Sequence, residues 1–124
     1  MNIKLRSKNF EITPAINDYI TKKISTLEKF LDSEKENLCE VEIGRTTRHH
    51  IKGEVFQAEI NIIIPGNKQV YAVAEEVDLY TAIDIVREEA ERAIVAKRNR
   101  YKTLWKKGAY KIKDMIRNIN FRKK

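Results

Sequence analysis

Cysteine occurs once in this chain of 124 residues, at Cys39, while proline occurs twice and glycine four times. One thiol cannot close an internal disulfide, which fits a reducing cytosol. So little proline and glycine excludes a fibrous or low-complexity chain. No apolar run approaches the roughly 18 residues that a membrane span needs, and the N-terminus has no secretory apolar core. These absences point to a soluble, cytoplasmic protein with no membrane partner. Neither a glycine-rich phosphate loop nor a G-x-S-x-G turn occurs. Histidine is confined to the adjacent pair His49 and His50, with no third ligand at a metal-binding spacing. Cys39 falls in phase with Val41 and Ile43, the position of a buried small hydrophobe rather than of an activated thiolate. No metal, cofactor, small-molecule substrate or catalysis is therefore expected.

What the chain does have is charge, and its distribution is uneven. From Lys97 to Lys124 there are twelve Lys and Arg against the single Asp114, a net charge of +11. The first 96 residues hold the other thirteen basic and seventeen acidic side chains, a net −4. The overall +7 thus conceals a mildly acidic body with a strongly basic end. Such asymmetry suits a polyanionic partner, because neutralising phosphates releases condensed counterions. The plainer alternative is a solvated tail that only aids solubility.

Periodicity places the elements. Ile3 and Leu5 alternate with Lys4 and Arg6 as a short half-buried strand. Thr13-Pro14 then opens a helix, a capping hydroxyl followed by a residue whose missing N–H costs nothing there. Ile16, Ile20, Ile24, Leu27 and Leu31 form its apolar stripe, and the polar residues 32–37 end it. Cys39, Val41 and Ile43 alternate with Glu40 and Glu42 as a strand with one wet face, followed by a polar turn over 46–53. Phe56, Ala58, Ile60, Ile62 and Ile64 form the clearest strand, closed by a Pro65-Gly66-Asn67 hairpin turn. Val70 to Ala74 returns beside it. Asp78 caps a second helix whose stripe runs through Leu79, Ile83, Val86, Ala90, Ile94, Lys97, Tyr101 and Leu104. Lys97 interrupts that stripe and marks where the helix leaves the core. Gly108 is expected to break it, and Ile112, Met115, Ile116 and Ile119 could form one further amphipathic stretch.

The order is β-α-β-β-β-α. It predicts an α+β sandwich, a four-stranded sheet with two helices on one face, an order shared with double-stranded RNA-binding domains. The expected organisation is a domain over 1–107 and a basic tail over 108–124.

Two segments and the strands between them resemble a known family. Asn9-Phe10-Glu11-Ile12-Thr13-Pro14-Ala15-Ile16, running on to Lys23, Leu27 and Glu28, is similar to the opening of the ribosome hibernation promoting factor and ribosome-associated inhibitor family. Val77-Asp78-Leu79-Tyr80-Thr81-Ala82-Ile83-Asp84 resembles that family's entry to its second helix. His49-His50, Phe56-x-Ala58-Glu59-Ile60 and Pro65-Gly66 fit the pattern between them. The resemblance covers roughly residues 1–102, with its two motifs at the right separation and the right strand pattern between them. It implies a non-enzymatic translation factor of the short type, bound to ribosomal RNA and proteins of the small ribosomal subunit across the mRNA and tRNA channel.

The resemblance also bears on individual cations. It implies that Lys23 faces ribosomal RNA; Lys22 beside it is either a second contact or an ordinary solvated lysine. Where short members carry a lysine on the second helix, this chain has Glu89, among the further acids Glu88 and Glu91. The RNA-facing surface is therefore expected nearer the helix C-terminus, among Arg87, Arg92, Lys97, Arg98, Arg100 and Lys102. Arginine grips phosphate through two parallel donors and lysine as a point charge. The same cations could instead only complement the helix dipole. Lys4, Arg6 and Lys8 either line an exposed sheet surface over RNA or protect an edge strand from mispairing. Tyr101 and Trp105 beside Lys106 and Lys107 suit stacking on unpaired bases, although Trp105 could equally dock on the protein itself.

Overall fold

The computed structural model describes residues 1–31, 36–47, 53–64 and 68–107. Its elements are β1 (Asn2–Lys8), α1 (Pro14–Ser25), a 3-10 helix (Thr26–Phe30), β2 (Leu38–Thr47), β3 (Glu54–Ile64), β4 (Lys68–Glu76) and α2 (Leu79–Lys107). By packing the chain divides into two units, Met1–Ile94 and Val95–Lys124. The Pro65-Gly66-Asn67 turn, His49-His50 and everything from Gly108 onward lie outside the described residues.

The first unit is the expected α+β sandwich. Its strands lie in the order β1-β2-β3-β4. β2, β3 and β4 form an antiparallel meander, whereas β1 pairs parallel with β2, so α1 is the crossover that parallel neighbours require. Alternation decides which face is buried. Cys39, Val41, Ile43, Ala58, Ile60, Ile62, Val70, Ala72 and Ala74 pack with Ile20, Ile24 and Leu27 and with Leu79, Ile83, Val86, Ala90 and Ile94 in one core. Both helices thus cover the same face of the sheet. Burying each large aliphatic side chain stabilises by about 1.5–3 kcal/mol, so the chain has strong reason to keep this register.

The caps form as the sequence predicts. Thr13 Oγ1 accepts from the Ile16 N–H at 3.3 Å, with Pro14 in the first helical turn. The Asp78 carboxylate accepts from the Thr81 N–H at 3.0 Å and from the Thr81 hydroxyl at 2.9 Å.

Two boundaries differ from expectation. The first helix is not one α-helix to Leu31: it tightens into the 3-10 helix at Thr26, whose hydroxyl donates to the Lys23 carbonyl at 2.5 Å. Side-chain bonding to the preceding turn of this kind competes with regular helix continuation. β2 also runs on through Arg45, Thr46 and Thr47, which pair with Phe56, Val55 and Glu54. Polar side chains there obscured a ladder that the backbone sustains. Gly53, before β3, has φ +107°, a conformation that side chains other than glycine rarely adopt.

Candidate nucleic-acid interface

The cations expected to meet RNA are distributed over three places. The first is the end of α1. Lys22 and Lys23 occupy its last turn, where positive charge complements the helix dipole. Lys22 is exposed. Lys23 is half-exposed; its ammonium lies 3.4 Å from Asp84 Oδ1 on α2 and 5.7 Å from the centroid of the Tyr19 ring.

Asp84 is the hub of this region. Besides Lys23 it accepts a hydrogen bond from the Tyr19 hydroxyl at 2.5 Å, and Tyr19 meets Tyr80 edge to face with centroids 4.7 Å apart. The hydrogen bond to Asp84, partial burial and nearby negative charge push the Tyr19 phenol up to about 12. It is a neutral donor at any physiological pH.

One turn further along α2, Arg87 is committed within the protein. Its Nε donates to Thr26 Oγ1 at 2.8 Å and its Nη1 to Glu91 at 2.7 Å, leaving its side chain 16% exposed. Thr26 therefore joins Lys23, through its carbonyl, to Arg87. Arg92 donates to Glu89 at 2.7 Å yet keeps its side chain 71% exposed. Glu91 and Glu89, two of the acids clustered on this stretch of α2, are thus the partners of these two arginines.

The second place is β1. Lys4, Arg6 and Lys8 are all exposed, on the sheet face away from the helices, and Arg6 reaches Glu40 at 3.5 Å. β1 is an edge strand, so its cations sit where mispairing must be discouraged. The third place is the second unit. There Lys97 is half-buried and Arg98 exposed, and the backbone of Arg100, Tyr101, Lys102, Trp105, Lys106 and Lys107 continues α2. Within the first unit the structure brings Lys23 and Arg87 together, and it sets Lys4, Arg6 and Lys8 on the opposite side.

Reading the sequence missed the roles of Tyr19, Thr26 and Asp84. Tyr19 and Lys23, like Tyr80 and Asp84, stand four residues apart on their helices, a spacing that makes neighbours. That signal exists for each helix alone; the meeting of the two does not show in it. Among the described residues no group of three metal-ligating side chains occurs, and no helix is long and apolar enough to cross a membrane. Cys39 is fully buried, and burial, with Glu40 adding to it, pushes its thiol up to about 12.

The sequence pattern of the family described as Sigma 54 modulation protein / S30EA ribosomal protein matches residues 3–102. The chain belongs to this family. Over 102 residues it is 28% identical to the ribosome hibernation promoting factor of Klebsiella oxytoca, covering 82% of this chain and 98% of that one. It is 29% identical to the ribosome hibernation promotion factor of Bacillus subtilis (strain 168), covering 76% of this chain but only 47% of that relative. The fold superposes on the N-terminal domain of Thermus thermophilus Protein Y with a TM-score of 0.62 and 34% identity, over 76% of this chain and 96% of that domain. A ribosomal subunit interface protein from Coxiella burnetii shares the fold at a TM-score of 0.59, with 19% identity over 80% of this chain and 99% of that one. Membership and fold thus agree with the two motifs at Asn9–Ile16 and Val77–Asp84.

Proposed function

We propose that this protein is a ribosome hibernation factor: it binds the small ribosomal subunit at the mRNA and tRNA decoding channel and silences idle ribosomes in the cytoplasm. The observation that carries this reading is the family match from residue 3 to residue 102, which spans the whole α+β body. The relatives' names carry ribosome hibernation, and the resemblance of the two motifs carries the small subunit and its decoding channel.

The mechanism is steric and electrostatic, with no chemical step. Residues 1–107 form the ribosome-binding part and 108–124 a basic tail that adds long-range attraction. Lys22, Lys23 and Arg92 on the first unit, and Lys97, Arg98, Arg100 and Lys102 on the second, contact ribosomal RNA phosphates. Arg87 contributes chiefly by fixing the joint at Thr26 beside Lys23. Lys4, Arg6 and Lys8 make peripheral contacts, and Tyr101 and Trp105 stack on bases beside Lys106 and Lys107. Each phosphate neutralised steepens the fall of affinity with salt.

Sedimentation of purified small subunits through sucrose gradients tests the reading, with the full chain and with a chain truncated after Tyr101. The full chain is expected to travel with small subunits, and the truncated one to do so with lower affinity. Excess duplex RNA should leave the complex intact. Displacement by duplex would instead assign the chain to general structured-RNA binding, and no co-sedimentation would refute the ribosomal reading.

A further inference from the structure

Beside the β1 cations, the sheet face turned away from the helices carries acidic and apolar side chains to which the proposed RNA contacts give no role. Strand register lays its side chains in rows. Lys4, Glu40, Asn61 and Tyr71 make one row, and Arg6, Glu42, Glu59 and Val73 the next. Among the described residues, positive charge on this face lies on β1 at one edge; β2 and β3 bring Glu40, Glu42 and Glu59 to the middle, and β4 adds Glu75 opposite Gln57. At the other edge β4 exposes Tyr71 (57%) and Val73 (42%), with Ile63 of β3 (38%) nearby.

Glu42 and Glu59 stand directly opposite one another in the antiparallel pair. Like charges so placed destabilise a sheet. Glu40 is offset by Arg6 at 3.5 Å, whereas among the described residues Glu59 is met by the neutral amide of Gln57, at 3.1 Å. A shallow depression lies among Arg6, Glu40, Glu42, Glu59, Asn61 and Tyr71. A phosphate backbone laid there would meet three carboxylates. A cationic chain would relieve the opposition between Glu42 and Glu59 and cover the exposed apolar edge.

We propose that this open sheet face docks a lysine- or arginine-rich polypeptide segment in extended form. Its cations seat over Glu40, Glu42 and Glu59, and its apolar side chains lie on Tyr71, Val73 and Ile63. Spacing supports the fit: Glu40 and Glu42, two residues apart on one strand, are about 6.8 Å apart, the repeat of alternate side chains in an extended partner. The Tyr71 ring offers a second attraction for a cation.

Titration of the full chain with a nonapeptide of alternating arginine and valine tests this, followed by amide NMR shifts and fluorescence anisotropy. A nonapeptide of alternating glutamate and valine is the control. Shifts are expected at Glu40, Glu42, Glu59, Asn61 and Tyr71 with the cationic peptide alone. The E42Q/E59Q double variant should bind about tenfold more weakly, the loss of two exposed ion pairs. Its urea midpoint should be equal to or above that of the parent, because the like-charge opposition is gone. E42Q alone, which keeps one carboxylate of the pair, should fall between the two, and Y71A should weaken binding about threefold through its lost ring contact. Equal affinity in the parent and the double variant would overturn the proposal. So would shifts confined to Glu89 and Glu91 on α2, or a dimer of the chain that forms without peptide and vanishes in the double variant. Because the probe is a free peptide, the outcome does not depend on whether the chain binds ribosomes.

Discussion

The Tyr19 hydroxyl of α1 donates to the Asp84 carboxylate of α2 at 2.5 Å, tying together two residues 65 positions apart. Lys23 approaches the same carboxylate from the next turn of α1, at 3.4 Å. One acid therefore orients both a phenol and the lysine proposed to meet ribosomal RNA. Asp84→Asn is expected to lower stability by about 1 kcal/mol, the worth of a hydrogen bond plus an exposed ion pair. The same change should bring the Tyr19 phenol down from about 12 toward its ordinary 10, since Asp84 is the largest cause of the shift. Urea denaturation and a tyrosinate absorbance titration, with Tyr19→Phe as the reference, measure the two effects.

Alkaline stability follows from the same phenol and from Cys39. Both groups hold their protons more tightly in the folded chain, at about 12 against ordinary values of 10 for the tyrosine and 9 for the cysteine. A raised folded value contributes stability that is complete below the unfolded pKa and is lost as pH rises through the folded one. Stability should therefore decline from about pH 9 to pH 12, the cysteine acting first and the tyrosine joining above pH 10. Urea midpoints measured across that range should fall less steeply in a Tyr19→Phe, Cys39→Ala chain. In native protein Cys39 should resist thiol reagents until urea exposes it, because the thiolate is the reactive form.

Arg87 and Arg92 look alike in the sequence and differ in the fold. Arg87 is 16% exposed and donates to both Thr26 and Glu91, whereas Arg92 is 71% exposed and, among the described residues, donates to Glu89. Arg87→Ala is expected to cost about 1–3 kcal/mol, leaving Thr26 and Glu91 without their donor. Arg92→Ala should stay within about 0.5 kcal/mol of the parent, as a surface change does. Comparing urea midpoints of the two variants checks the difference.

How much of this was legible depended on whether a feature has a period. The alternation of Cys39, Val41 and Ile43 and of Ala58, Ile60 and Ile62 marks the buried face directly, and all six are buried. The stripe Leu79, Ile83, Val86, Ala90 and Ile94 is likewise wholly buried, with Lys97 just beyond it only half so. The tightening at Thr26 had no such mark, since Ile24 and Leu27 are compatible with either helix type. The partnership of Arg92 with Glu89 was readable as a helical spacing, but that of Lys23 with Asp84 spans 61 residues and follows only from how α1 and α2 pack. The parallel pairing of β1 with β2 likewise comes from tertiary contacts and leaves no pattern in β1 itself.

The decisive test of the proposed RNA surface concerns cations outside the hydrophobic core. Arg92 is 71% exposed, Arg98 is exposed, and Lys97 lies beyond the last core residue of α2. Replacing all three by Ala removes three charges and no member of the hydrophobic core, so the urea midpoint should move little. Affinity for small subunits should fall, and the slope of log affinity against log salt should flatten by about two to three, one cation contributing slightly under one. Sedimentation at several salt concentrations reads both quantities. A parental slope in the triple variant would move the RNA contacts elsewhere, with Lys22 and Lys23 at the end of α1 the next residues to substitute. A steep fall in stability would show instead that these side chains brace α2.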